Sequence, residues 1–213
     1  MTLNYICKCH KEEFFLKNNF SYWENRNQTT DEKEISNELY KICLTNKDIL
    51  HIGIGNSEFS KLFSKKNNVD GITISQKEIL LAKKINLINY KYYLLDKYSI
   101  EFQNFLKKKK YDFIIDTNLK SYACCQDSFN LMICGLIDSL KIGGLLITSR
   151  TGMNWTKKLT HKLSFNLKNF FYYKFKEIDG DPANQLTIKE LQKICEKSNI
   201  KLSFNDKLCY LQK

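Results

Sequence analysis

Apolar and polar positions change rhythm several times along the chain. Residues 48–52, "DILHI", form a short and almost continuous apolar run. The stretch after it, "SEFSKLF", spaces Phe59, Leu62 and Phe63 as a helix does. The same switch recurs. Strand-like runs fall near 48–52, 69–74, 90–95, 111–115 and 144–149, with helical patterns near 56–66, 76–86, 99–109 and 126–140. Ahead of the first strand, "TTDEKEISNELYKICL" predicts a helix. Thr29 and Glu32 stand at capping-box spacing, and Ile35, Leu39, Ile42 and Cys43 share one face. Strands alternating with helices in this way require crossover connections. The predicted fold class is therefore α/β, with a mostly parallel sheet covered by helices on both faces.

The rhythm changes after residue 149. Residues 150–185 are irregular and rich in aromatic and basic side chains. "LTIKELQKICEKSN" then predicts a helix with Thr187 and Glu190 as its capping box and Leu191, Ile194 and Cys195 facing inward. In the tail, "IKLSFNDKLCYLQK", apolar and polar residues alternate on either side of Asn205–Asp206, which predicts a hairpin. The expected whole is a doubly wound, mostly parallel seven-stranded sheet ending in an antiparallel C-terminal strand pair. It fits one domain, because 213 residues with 43% hydrophobic composition can bury one sizeable core.

Composition narrows the function. No stretch reaches the roughly 18 apolar residues of a membrane span. The N-terminus, "MTLNYICKCHKEEFF", has charges where a signal peptide would have its apolar segment, so a cytoplasmic protein with no membrane partner is expected. Eight cysteines, among them Cys43, Cys134, Cys195 and Cys209, lie mostly within apolar patterns, and reduced core thiols are expected. Cys7, Cys9 and His10 lack a second ligand pair at zinc spacing, so no metal is expected. The net charge of +11, with the basic run Lys107 to Lys110, invites a nucleic-acid reading. Against it, arginine occurs only at Arg26 and Arg150. Lysine, asparagine, isoleucine, tyrosine and phenylalanine are abundant while proline occurs once, the pattern of a codon-biased proteome. Nucleic acid is thus the less favoured partner.

The chemistry concentrates in "DILHIGIGNSEFSKLF". In a doubly wound sheet, ligands bind at the carboxyl ends of the strands, and the first strand-to-helix turn is the usual place. Gly53 and Gly55 let the backbone approach a ligand closely, and the following helix offers free N–H groups. Ser57 stands where a dinucleotide fingerprint has its third glycine, and no Gly-Lys-Ser/Thr follows as in a P-loop.

The run Ile49-Leu50-His51-Ile52-Gly53-Ile54-Gly55-Asn56-Ser57 resembles the first motif of class I S-adenosylmethionine-dependent methyltransferases. Further pieces follow in that family's order. Val69-Asp70-Gly71-Ile72-Thr73-Ile74-Ser75 is similar to its second strand, and Leu94-Leu95-Asp96 to its adenine-side turn. Tyr111 to Asp116 resembles its fourth strand and "LIDSLKIGGLLITS" the entry to its fifth. The resemblance spans about residues 48–150 and implies S-adenosylmethionine as cofactor. It implies cofactor contacts from His51, Gly53, Gly55, Asn56, Ser57, Thr73, Ile74, Glu78, Asp96 and Asp116. Two positions depart from the family, which usually has acids where His51 and Thr73 stand. His51 could touch the cofactor, although an imidazole bonded to backbone at the strand end is preferred. Thr73 could grip the ribose with help from Glu78, one helical turn on. Glu78 also stands at capping-box spacing from Ser75, and the two duties are compatible. Asp96 could accept the adenine amino group or cap the next helix, and the first is favoured by position.

On the acceptor side the resemblance points to "DTNLKSYACC", with Asp116, Asn118 and Tyr122 as groups that could orient or deprotonate a nucleophile. Cys124 and Cys125 lack the Pro-Cys context of a nucleophile and are expected as buried thiols. Tyr22, Trp23 and Arg26 could form a lid, and Arg150, Asn154, Trp155 and His161 belong to the stretch best placed to select a substrate. The implied segments are 1–46 as a helical lid or cap, 47–149 as cofactor-binding core, 150–185 as variable cover and 186–213 as C-terminal helix and strand pair. The expected function is methyl transfer, in line, to an oxygen or nitrogen of a small-molecule acceptor. An RNA methyltransferase and a non-catalytic binding protein of the same fold are the alternatives.

Overall fold

The computed structural model describes residues 27–42, 44–150 and 186–213. The expectations for Cys7, Cys9, His10, Tyr22, Trp23, Arg26, Cys43, Asn154, Trp155 and His161 fall outside the described residues.

Helix α1 (Thr30–Ile42) leads into β1 (Asp48–Ile52), α2 (Lys61–Ser64), β2 (Asn68–Thr73), α3 (Gln76–Ile85) and β3 (Tyr90–Leu94). Then come α4 (Ile100–Leu106), β4 (Tyr111–Asp116), α5 (Gln126–Ser139) and β5 (Leu140–Ser149). The chain closes with α6 (Ile188–Lys197), β6 (Lys201–Phe204) and β7 (Leu208–Gln212). The seven strands form one sheet in the order β3-β2-β1-β4-β5-β7-β6. β1 to β5 are parallel, and β7 runs antiparallel between β5 and β6. The expected doubly wound architecture is the one observed.

Strand alternation distributes the core. Leu50 and Ile52 of β1 point to the layer with Phe102 of α4, Phe129 and Met132 of α5 and Leu191 of α6. Ile49 points the other way, toward Ile35 and Leu39 of α1, Phe59, Phe63 and Ile79 of α3. Strand order reverses between β1 and β4, so the switch point of the sheet lies at the carboxyl ends of those two strands.

Local chemistry fixes the element ends. The capping box of α1 is complete: Thr29 N–H donates to Glu32 Oε2 at 2.8 Å and Glu32 N–H to Thr29 Oγ1 at 3.2 Å. Helix α6 is capped by Thr187, which accepts the Glu190 N–H. In the hairpin, Asn205 Oδ1 accepts the N–H groups of Lys207 and Leu208, both at 2.8 Å, which makes the expected turn.

Four expectations shift. The helix foreseen over 56–66 contracts to α2, because the glycine turn continues as tight turns through residue 60. Ile42 is exposed at the end of α1. Cys134 is also exposed, on the outer side of α5, while Cys195 and Cys209 are buried as expected. Cys124 and Cys125 are half-buried, and Cys125 caps α5 through Sγ, which accepts the Ser128 N–H at 3.4 Å.

Candidate functional site

The glycine turn leaves β1 at the switch point. Gly53 has φ +79° and Gly55 φ +51°, so both occupy the left-handed region that glycine tolerates. Gly53 N–H donates to Ile72 O at 2.9 Å, which holds the turn against β2. Among the described residues, a Cβ built on Gly53 meets nothing within 4 Å. Open space therefore lies against this backbone. Ser57 also has positive φ, +64°, at the position of the absent third glycine. It is fully buried, and among the described residues its Oγ has no hydrogen-bond partner. Asn56 is buried beside it, its Oδ1 accepting the Glu58 N–H at 3.3 Å.

Thr73 ends β2 and meets Glu78 from the first turn of α3. The Thr73 hydroxyl donates to Glu78 Oε2 at 2.5 Å, and Thr73 Oγ1 accepts the Ser75 N–H at 3.0 Å. Ser75 caps α3 by accepting the Glu78 N–H. The cap thus rests on Ser75 and on the backbone of Glu78, while the Glu78 carboxylate is turned to Thr73. Ile74 follows, half-buried. The neighbouring strand ends at Leu94, and Leu95 N–H donates to Thr73 O at 2.9 Å, which brings the Asp96 turn alongside. Asp96 is buried, and its Oδ1 accepts the Tyr98 N–H at 2.9 Å. The cap of α4 belongs to Ser99. Asp96 shapes the turn just before the helix.

His51 does not reach the ligand face of the turn. Its ring is buried toward the α1–α3 layer, edge-on to Phe59 and Phe63 at centroid distances of 5.3 and 5.5 Å. Nδ1 lies 2.8 Å from the Tyr90 hydroxyl and 3.1 Å from that of Ser60, and the Ser60 hydroxyl donates to Tyr90 Oη at 3.2 Å. Side chains replace the expected backbone partner. Burial depresses the imidazole pKa to about 4, with the Glu32 carboxylate pulling weakly upward, so at neutral pH the ring is uncharged. His51 is thus held by side chains within the core.

Asp116, Asn118 and Tyr122 lie at and just after the end of β4. Asp116 pairs in register with Ile52, next to Gly53. It is buried, and both carboxylate oxygens are engaged: Oδ2 accepts Lys97 Nζ at 2.9 Å and Oδ1 the Asn118 N–H at 3.0 Å. With both oxygens held by partners on the chain, its geometry is that of a loop anchor. Tyr122 is half-buried, with φ +61°. Burial and then the Glu78 carboxylate raise its phenol pKa, so it is a donor and not a base at neutral pH. Asn118 contributes its backbone to the Asp116–Lys97 contact and is itself half-buried.

Arg150, read as part of the substrate-selecting stretch, is engaged by the C-terminal hairpin. Its N–H donates to Lys207 O at 2.8 Å, its Nη1 to Asn205 O at 2.9 Å, and the guanidinium stacks 5.6 Å from the Phe204 ring. The C-terminal hairpin holds it.

Two lysines that the sequence reading passed over organise the acceptor loop. Lys97 donates to Asp116, to Asn118 O at 2.8 Å, to Leu119 O at 3.1 Å and to Ser121 Oγ at 3.3 Å. Lys120 is buried over the Phe129 ring and donates to Gln126 Oε1 and Glu190 Oε1, each at 2.8 Å, which ties the loop to the start of α6. A faint signal existed for Lys97, a lone cation in the apolar run "YYLLDKYSIEF". For Lys120 there was none.

A glycine turn after β1, the Thr73–Glu78 pair at the end of β2 and the buried Asp96 after β3 thus lie along the carboxyl ends of neighbouring parallel strands. No protein-family model matches the chain, and no curated protein matches its sequence. Solved structures do match. Magnesium protoporphyrin IX methyltransferase (ChlM) from Synechocystis PCC 6803, with bound S-adenosylhomocysteine, is 15% identical with a TM-score of 0.61, over 91% of this chain and 93% of that one. The N-methyltransferase NodS from Bradyrhizobium japonicum WM9, in complex with S-adenosylhomocysteine, is 11% identical with a TM-score of 0.58, over 92% and 91%. A TehB-like S-adenosylmethionine-dependent methyltransferase from Corynebacterium glutamicum ATCC 13032 Kitasato is 12% identical with a TM-score of 0.55, over 88% and 89%. The chain has the class I methyltransferase fold.

Proposed function

We propose that this protein is an S-adenosylmethionine-dependent methyltransferase that transfers a methyl group in line to an oxygen or nitrogen of a small-molecule acceptor. The carrying observation is the empty Cβ position of Gly53 at the switch point, beside the Thr73–Glu78 pair. Gly53 and Gly55 would admit the cofactor against the backbone, Thr73 and Glu78 would hold its ribose, and Asp96 its adenine. The fit rests on this chain's own features: an open backbone cradle, a carboxylate turned toward the second strand's end, and a buried Ser57 hydroxyl without a partner among the described residues. When bound, the sulfonium supplies an already activated methyl group. The chain's task is then to hold an acceptor in line and exclude water, which needs no general base. The engagement of Asp116 by Lys97 is compatible with that.

A small acceptor is favoured over RNA because three cations near the acceptor loop are spent internally. Lys97 and Lys120 are buried and paired, and Arg150 is held by the hairpin. Among the described residues no helix is long and apolar enough to cross a membrane. Calorimetric titration of S-adenosylhomocysteine into the protein and into Gly53→Ala tests the reading. The added methyl has room but sits at positive φ, which costs about 1–2 kcal/mol of stability and leaves the chain folded. Binding by the parent and its loss in folded Gly53→Ala is expected. Equal binding by both would place the cofactor elsewhere.

A further inference from the structure

Two consecutive residues of the Asp96 turn make five hydrogen bonds, one to the last residue of β4 and four to the loop after it. Lys97 makes four, to Asp116 Oδ2, Asn118 O, Leu119 O and Ser121 Oγ, at 2.8–3.3 Å. An ammonium has three N–H groups, so one of them is shared. Tyr98 makes the fifth: its hydroxyl donates to Ser121 O at 2.9 Å. Lys97, Tyr98, Asp116, Leu119 and Ser121 are all buried, so water does not compete for these bonds. Burial, together with the carboxylates of Asp116 and Asp96, holds the Tyr98 phenol well above its ordinary pKa, and it stays a donor. Asp96 completes the unit through its bond to the Tyr98 N–H.

We infer that Lys97 and Tyr98 are positioning residues that fuse the Asp96 turn and the loop 116–121 into one rigid body. Whatever docks at Asp96 then also sets the position of Asn118 and Tyr122. On the proposed function, on which this inference rests, cofactor binding at Asp96 prepares the acceptor loop, and the acceptor is bound more tightly after the cofactor than before it. By linkage the effect is reciprocal. A buried lysine with four oxygen partners on a different segment has no simpler reading as a surface salt bridge, which would leave at least one end in water.

Amide hydrogen exchange read by mass spectrometry tests this in two arms. In the ligand-free protein, amides at 96–99 and 117–122 are expected to open together, with similar protection. Protection that differs more than about tenfold between the two segments would show independent loops and overturn the inference. This arm needs no ligand and stands even if S-adenosylhomocysteine fails to bind, an outcome that would sink the proposed function alone. In the second arm, S-adenosylhomocysteine is expected to slow exchange at both segments in the parent protein, by roughly 5–150-fold at 117–122, the range of ordinary site coupling. In Lys97→Met/Asp116→Asn, which removes both charges together, the slowing should persist at 96–99 and fall below twofold at 117–122. Tyr98→Phe, which deletes one donor and keeps the ring, should lose part of the slowing at 117–122 and carries the test if the double variant does not fold. Full slowing at 117–122 in either folded variant would overturn the inference.

Discussion

Glu78→Ala separates the two duties open to that carboxylate. The helix cap is made by other atoms: Ser75 Oγ accepts the Glu78 N–H at 3.4 Å, and the Ser75 N–H goes to Thr73 Oγ1 at 3.0 Å. Both bonds survive the substitution. What disappears is the acceptor of the Thr73 hydroxyl, 2.5 Å away. The fold should therefore lose about 1 kcal/mol, one hydrogen bond at a half-buried position, and the melting temperature should fall by about 2–4 °C for a chain of this size. A ribose hydroxyl bonded to the same carboxylate adds a separate loss on binding, about 1.5–3 kcal/mol for a hydrogen bond to a charged group. That corresponds to a roughly 10- to 150-fold rise in Kd for S-adenosylhomocysteine. Calorimetry on variants first checked by thermal melting reads the two losses apart. Thr73→Asp, which restores the family's usual acid, should bind as tightly as the parent or more so. A Glu78→Ala protein that melts a few degrees lower yet binds S-adenosylhomocysteine within about twofold of the parent would refute the ribose role and leave Glu78 as an anchor for Thr73.

Three other outcomes follow from the described contacts. Burial keeps His51 neutral down to a pKa of about 4 in the fold against 6.5 in the open chain, so its contribution to stability is complete above pH 6.5 and is lost as pH falls toward 4; urea titrations should show a loss of about 3 kcal/mol across that window that His51→Gln largely abolishes. A Cβ at Gly71 would lie 2.5 Å from the Tyr90 hydroxyl, so Gly71→Ala should displace the ring, break its bonds to His51 and Ser60 and cost about 2–4 kcal/mol by denaturation; a loss under about 0.5 kcal/mol would mean that the ring has somewhere else to go. Arg150→Ala should speed amide exchange at the hairpin turn, 205–208, while S-adenosylhomocysteine affinity stays unchanged, and a clear drop in affinity would return Arg150 to the site.

The fold was legible wherever a local pattern had one outcome. The switch between strand and helix periodicity located all five parallel strands, and Thr29–Glu32, Thr187 and Asn205 each made the cap or turn their spacing announced. It was less legible at α2, where the glycine turn runs on into further tight turns and takes residues that a helical pattern also fits. For the candidate site, the sequence located the backbone turn but not the partners of its side chains. Gly53 and Gly55 adopt the positive φ that a close-approach turn demands, because that property belongs to the residue type. His51, Asp116 and Tyr122 were read by position in a motif and Arg150 by its place in the stretch after β5, yet their partners depend on what lies across from them.

What the sequence determined by itself was the order of elements, the parallel rhythm, the hairpin and the presence of a glycine turn after the first strand. Each of these follows from periodicity, capping and backbone freedom, which act over a few neighbouring residues. Tertiary structure alone decided that Lys97 would span 19 residues to hold Asp116, that Lys120 would reach Glu190, and that Tyr90 would lie over Gly71 and bond His51. These contacts join segments distant in the chain. A buried charge takes its partner from whichever strand the sheet order brings beside it, and no short window of sequence contains that order.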